Sequence, residues 1–142
     1  MGARHTGREA ALQMLFQVEV GNATAETAIT LFWRQFEGDP EGRSYADAIV
    51  RGVTDDLSAI DDRLRKASTH WRLERMSRVD RNLLRLGAWE LVARKDVPRA
   101  VILDEAVELA KAYGTEESPA FVNGVLNRVA DDVGRRDEDR SR

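Results

Sequence analysis

The chain of 142 residues contains no cysteine and only two histidines, His5 and His70. Without thiols it cannot form disulfides, a thiolate nucleophile or cysteine-ligated zinc and iron–sulfur sites. The histidines lack the paired spacing of a zinc-binding helix, and neither a GxxxxGK[ST] phosphate loop nor a GxSxG nucleophile elbow is present. These absences argue against a metalloenzyme or a hydrolase, and we expect no cofactor.

Long apolar runs are also missing. No stretch approaches the roughly 20 apolar residues that a membrane-spanning helix needs, and the N-terminal segment MGARHTGREAAL lacks the apolar centre of a signal peptide. Hydrophobic residues make up 42% of the chain and charged residues 33%, as in an ordinary globular protein. We therefore expect one compact cytoplasmic protein without membrane contact.

Charge is unevenly distributed along the chain. Residues 1–62 carry 5 basic and 11 acidic side chains, residues 63–99 carry 11 and 4, and residues 100–142 carry 6 and 10. A basic middle in an acidic protein is compatible with a polyanion-binding site and equally with a solvated helix face. The acidic run DDLSAIDD at 55–62 similarly permits a divalent-cation site, although a solvated face is the simpler interpretation.

Apolar residues recur at three- and four-residue steps in six segments, and no segment alternates as a strand would. The spacing predicts that residues 45–64 form part of one continuous helix, the third. The weakly periodic stretch after it predicts a division of an all-α fold into two three-helix subdomains, over residues 1–68 and 69–134. The charged segment 135–142 is predicted to be a disordered tail.

The stretch SPAFVNGVLNRV, residues 118–129, predicts a further helix with Ser118 as its N-cap, although Asn-Gly is a strong hairpin signal. Gly124 then lies inside a helix, where glycine costs about 1 kcal/mol relative to alanine. Gly52 and Gly87 also lie inside predicted helices. We expect these glycines to mark close helix packing, which a missing side chain permits.

Two groups of basic residues are candidates for nucleic-acid binding. Arg78, Arg81 and Arg85 share one face of the fourth predicted helix, and Trp89 lies one turn beyond. The second group, at the start of the first helix, consists of Arg4, His5 and Arg8. Neither group is specific by itself.

Four segments, taken in order, resemble the NusB family of bacterial transcription antitermination factors. They are REAALQMLFQ, VDRNLLRLGAWEL, DVPRAVILDEAVELAKAYG and ESPAFVNGVLNRV, and they span nearly the whole chain. The resemblance implies an all-helical fold without enzyme activity. It also implies binding to boxA-type single-stranded RNA in ribosomal RNA leaders, together with the ribosomal protein NusE, RNA polymerase and other Nus factors.

The same resemblance implies two sets of site residues. The expected RNA-binding residues are Arg4, His5, Arg8, Gln13 and Phe121. The expected NusE-binding residues are Phe16, Glu74 and Asp80. From the residues themselves, Phe121 is equally compatible with the core, and Glu74 and Asp80 are equally compatible with pairing to nearby arginines.

Two other functions remain open at this point. Phe32, Trp33 and Phe36 could form a homodimer interface in a helical interaction protein, although core packing is the usual place for such residues. The NusB-like accessory domain of ribosomal RNA methyltransferases is the second alternative. A methyltransferase of that kind needs a nucleophilic cysteine, which this chain lacks.

Overall fold

The computed structural model describes residues 2–136, which form seven α-helices, one short 3-10 helix and no β-strand. The helices are α1 (Ala3–Gly21), α2 (Ala25–Gln35), α3 (Pro40–Asp55), α4 (Leu57–Ala67), α5 (Arg78–Ala93), α6 (Arg99–Tyr113) and α7 (Ser118–Asp132), and the 3-10 helix spans Leu73–Arg75. The all-α prediction is confirmed. Within the described residues, no helix combines the length and apolar character that a bilayer crossing requires.

The chain divides into two compact units, one ending at Asp56 and the other beginning at Leu57. In the first unit, α1 packs against α2 and α3, and α2 also contacts α3. In the second unit, α5, α6 and α7 pack against one another, and α4 lies against α5 and α7. The division comes earlier in the chain than the boundary predicted between residues 68 and 69.

The prediction of one continuous helix through residues 45–64 is wrong, because the helix is interrupted at Asp56, where the two units divide. Asp56 leaves the helical conformation, with φ −110° and ψ 23°. The Thr54 hydroxyl donates to the carbonyl four residues earlier at 2.9 Å, a local bond that tends to bend helices. Carboxylates at Asp55 and Asp56 oppose the dipole at the end of α3 and favour the start of α4. The second unit therefore contains four α-helices.

The start of α7 also differs from the sequence prediction, and the turn between α1 and α2 depends on a similar local choice of hydrogen bonds. Ser118 is the first residue of α7 and not its N-cap, and its hydroxyl accepts a hydrogen bond from the Thr115 N–H at 2.9 Å. Asn22 ends α1 in the left-handed conformation, φ 51°, while the Thr24 hydroxyl caps α2 by accepting from the Thr27 N–H at 3.1 Å. At both positions, hydrogen bonds between residues close in sequence determine which residue begins the helix.

The glycine prediction is confirmed at Gly87 and wrong at Gly124. A Cβ atom at Gly87 would lie 2.6 Å from Cδ1 of Leu126, so its absence lets α5 and α7 approach closely. Gly124 is exposed, and a Cβ there would meet no atom within 4 Å. Sequence reasoning missed a close approach in the first unit, where a Cβ at Gly7 would lie 2.7 Å from the Gly42 carbonyl oxygen.

The prediction that a disordered tail begins at Arg135 is wrong. Its side chain belongs to the core of the second unit, and the residue is only 4% exposed. Nη1 donates to the Leu91 carbonyl at 2.8 Å and Nη2 donates to the Val97 carbonyl at 2.6 Å. These bonds attach the chain beyond α7 to the end of α5 and the turn after it. Of the remaining predicted tail, residues 137–142 lie outside the described residues.

Arg85 and Asp61 join α5 to α4. Arg85 Nε donates to Asp61 Oδ1 at 2.8 Å and Nη2 donates to Oδ2 at 2.9 Å, and both side chains are 11% exposed. The neighbouring carboxylate of Asp62 pairs within α4 with Arg65, at 3.3 Å. Since Asp55 belongs to α3 and Asp62 to α4, the acidic run 55–62 does not form one helix face.

Replacing Arg85 with alanine should lower the free energy of unfolding by about 3–5 kcal/mol, because Asp61 would remain buried without its partner. Chemical denaturation followed by circular dichroism measures this change. Arg63→Ala, at an exposed position of α4, is the control and should change stability by less than about 0.5 kcal/mol. Equal effects of the two substitutions would show that the ion pair does not hold α4 in place.

Gly87→Ala and Gly124→Ala should have opposite effects on the unfolding free energy. At Gly87 the methyl group would overpack against Leu126, costing more than the helix propensity gained, for a net loss of about 1 kcal/mol. At Gly124 the methyl group meets open space, so stability should rise by up to about 1 kcal/mol. Destabilisation by Gly124→Ala would contradict the exposed position of this residue.

Candidate functional site

Arg4 presents a positive charge at the first turn of α1. Its Cζ lies 5.0 Å from the centroid of the Tyr45 ring, within cation–π distance. Its Nε lies 3.7 Å from Oε2 of Glu41, and the Arg4 side chain is 41% exposed. The tyrosine ring and the carboxylate hold the guanidinium while part of it remains accessible to solvent.

Arg8, one turn later, is buried and only 3% exposed. Its Nη2 donates to the Tyr45 hydroxyl at 3.1 Å, and its Cζ lies 5.1 Å from the centroid of the same ring. A guanidinium in this position cannot reach a ligand without rearrangement. Arg8 therefore fixes the ring over which Arg4 lies.

The other two α1 candidates have different surroundings. His5 is partly buried, and its Nε2 lies 4.0 Å from Oε2 of Glu9. Gln13 is exposed about two turns further along the helix and lines a groove between α1 and α2. The structure thus brings Arg4, His5 and Arg8 together at the start of α1 and places Gln13 apart from them.

Phe121 is neither a core residue nor a fully exposed one. It is partly buried on α7, and its ring centroid lies 6.0 Å from that of Trp71, with an angle of 82° between the planes. Trp71 itself is 64% exposed. Sequence reasoning missed Trp71, although a lone tryptophan within the polar stretch STHWRLER was a signal for it.

The expected partner-binding residues lie on α1 in the first unit and, in the second unit, on the 3-10 helix and at the start of α5. Phe16 is partly buried on α1. Glu74 is exposed in the 3-10 helix, and its Oε2 lies 3.7 Å from Nη2 of Arg65, so local pairing is present here. A backbone hydrogen bond within Glu74 lowers the pKa of its carboxyl group, and the positive charge of Arg65 lowers that pKa further.

Asp80 differs from Glu74 because no ion pair involves it within residues 2–136. Its backbone N–H donates to the Ser77 hydroxyl at 3.1 Å, which caps α5. Its Oδ1 is buried and has no hydrogen-bond partner in the described part of the chain. A carboxylate in the first turn is favoured by the helix dipole, and this atom can still accept a hydrogen bond.

The basic face of α5 is mostly structural. Arg81 Nη1 donates to the carbonyls of Leu73 and Met76, at 3.1 and 2.9 Å. Arg85 binds Asp61 as described above. Of the three arginines on this face, only Arg78 is exposed. Their spacing along the helix therefore reflects internal hydrogen bonding more than a polyanion site.

The family model described as "NusB family" matches residues 5–131. The transcription antitermination protein NusB of Sorangium cellulosum (strain So ce56) is 69% identical over 140 residues, which cover 99% of this chain and 100% of that protein. T. maritima NusB has a TM-score of 0.85 at 38% identity, covering 98% of this chain and 97% of that one. The fold also matches a crystal structure of the antitermination factors NusB and NusE in complex with dsRNA, with a TM-score of 0.83, 24% identity and coverage of 92% and 97%.

Proposed function

The chain belongs to the NusB family, and we propose that it is a transcription antitermination factor that binds boxA RNA together with NusE. The observation that carries this proposal is the 69% identity, over essentially both full lengths, to a transcription antitermination protein NusB. In this role the protein, together with other Nus factors, helps RNA polymerase resist termination on ribosomal RNA operons. The role is cytoplasmic and involves no catalytic step.

For RNA binding, we propose direct contacts from Arg4, His5 and Gln13. Arg4 is best placed because its guanidinium is held over a ring and remains partly exposed to a phosphate. We assign Arg8 an indirect part, since burial and the hydrogen bond to Tyr45 make it a support for Arg4. Phe121 is proposed as an apolar or stacking contact for a base, consistent with its partly exposed ring.

For NusE binding, we propose Phe16 on the first unit and, on the second, Glu74 and Asp80. Phe16 offers a partly exposed aromatic ring. A ribosomal protein rich in basic residues would be attracted by the two carboxylates, which favours the rate and register of association. Although Oδ1 of Asp80 is itself buried, the residue is only partly buried, so the charge of its carboxylate can attract such a partner.

A second candidate function is dimerisation without specific RNA binding. It is favoured by the surface of α2, where Leu31 is 53% exposed and Phe36, just after the helix, is 47% exposed. The Phe32 ring lies 4.7 Å from that of Phe36 and 4.8 Å from that of Trp33, which also donates from Nε1 to the Asp47 carboxylate at 2.8 Å. This aromatic cluster could bind the same surface of a second copy.

Fluorescence anisotropy with a labelled boxA RNA and a scrambled RNA tests the proposed function. With NusE present, we expect tighter binding to boxA than to the scrambled sequence. Arg4→Ala should weaken this binding and reduce the slope of log affinity against log salt by about 0.7, the loss of one phosphate contact. Arg34→Ala, at an exposed position of α2, is the matched control and should leave both quantities unchanged.

Equal binding to both RNAs, or no binding with NusE present, would contradict the proposal. Light scattering then separates the second candidate, because a dimer would support the interface on α2. If Arg34→Ala weakens binding as much as Arg4→Ala does, the effect is not specific to Arg4. That result would contradict the assignment of Arg4 but not the proposed function.

Asp80→Asn and Glu74→Gln should each slow association with NusE, on the order of two- to tenfold at low salt, by removing an attractive charge. Because the pKa of Glu74 lies below the ordinary value for a glutamate, its contribution should persist to a lower pH than that of a glutamate with an unshifted pKa. Stopped-flow mixing measures both effects. Asp104→Asn, exposed on α6, is the control, and an equal effect there would indicate only general charge attraction.

A further inference from the structure

Trp71 is the most exposed large hydrophobic residue of the described chain, at 64%. Exposed single apolar side chains are common, but a tryptophan in this position leaves a large aromatic surface in water. Its ring meets Phe121 edge to face, with the centroids 6.0 Å apart. The two rings therefore form one aromatic surface on the second unit, which we call the Trp71–Phe121 pair.

The backbone that carries Trp71 is fixed on both sides. The Ser68 hydroxyl is 2.9 Å from the Leu64 carbonyl and 3.1 Å from the Trp71 carbonyl, and the Trp71 N–H donates to the Ser68 carbonyl at 3.2 Å. Two residues after Trp71, Leu73 is buried and its carbonyl accepts from Arg81 Nη1. An exposed ring on an ordered backbone loses little conformational entropy when a ligand covers it.

The ionisable residues near Trp71 in the chain are mainly basic. His70, Arg72 and Arg75 are exposed, and Glu74 is the one acidic residue between residues 69 and 77. Proteins that bind single-stranded nucleic acid combine aromatic rings, on which bases stack, with cations that follow the phosphate backbone. Tryptophan and arginine are also enriched at protein–protein interfaces, and binding to a protein partner is therefore an outcome that the tests below distinguish. The charge and the aromatic surface together favour RNA.

We propose that Trp71 is a base-stacking residue for single-stranded RNA. In this arrangement Phe121 supports the indole from the side, while Arg72 and Arg75 bind the phosphates on either side of the stacked base. The inference rests on the proposed function and deepens it, because it adds residues 69–77 as a third RNA-contacting segment beside those on α1 and α7.

The first test is the boxA anisotropy measurement in the presence of NusE. Trp71→Ala should weaken RNA binding about tenfold or more, as expected when one base loses its stacking partner, whereas Trp71→Phe should retain most of the affinity. Val101→Ala, which shortens a side chain that is 42% exposed on α6, is the matched control and should leave RNA affinity unchanged. Circular dichroism of each variant establishes that it is folded.

The second test measures the fluorescence of Trp71 and remains decisive if Trp71→Ala fails to fold. The chain has three tryptophans, so the quenching of intrinsic fluorescence on adding boxA RNA is compared between the unsubstituted protein and Trp71→Phe. Stacking predicts that most of the quenching disappears in the variant. Arg72→Gln with Arg75→Gln should reduce the salt dependence of binding, whereas Lys95→Gln, an exposed control, should not.

The outcomes separate this inference from the proposed function. Selective boxA binding with unchanged affinity and unchanged quenching in the Trp71 variants would overturn the inference and leave the function standing. Loss of NusE binding with RNA affinity intact would also overturn it, and would assign Trp71 to the protein partner. If the unsubstituted protein shows no selective RNA binding, both proposals fail.

Discussion

A buried guanidinium is costly when its N–H groups are not hydrogen-bonded, and this constraint shapes the packing of both units of the protein. Arg8 meets it through Tyr45, joining α1 to α3. Arg85 meets it through Asp61, joining α5 to α4, and Arg135 binds backbone carbonyls 38 and 44 residues away in the chain. Each of these bonds connects segments that local helix propensity cannot bring together.

The same constraint decides which positive charges remain available for a ligand. The chain is rich in arginine, but the internal hydrogen bonds of Arg8, Arg81 and Arg85 remove them from direct binding. Of the arginines used in our proposals, Arg4 lies over the Tyr45 ring, and Arg72 and Arg75 are close in sequence to the exposed Trp71. An aromatic ring beside an accessible cation suits an RNA strand, because it can serve the base and the phosphate together.

Periodicity was sufficient for the fold class, because helix faces are encoded over a few neighbouring residues. It failed where the outcome depends on distant contacts. Gly87 and Gly124 are indistinguishable by pattern, yet only Gly87 faces a side chain of another helix. Arg135 looked like part of a charged tail because its carbonyl partners are far away in the chain. The break at Asp56 depends on local polar competition that the regular apolar spacing concealed.

We propose that RNA meets the chain at particular exposed aromatic and basic residues. Photo-crosslinking of a 4-thiouridine-substituted boxA RNA to the protein bound to NusE, followed by mass spectrometry of the peptides, locates these contacts. We expect crosslinks in the first turns of α1 and at the Trp71–Phe121 pair, absent with a scrambled RNA. Crosslinks confined to α2 and α6, or equally frequent with the scrambled RNA, would contradict it.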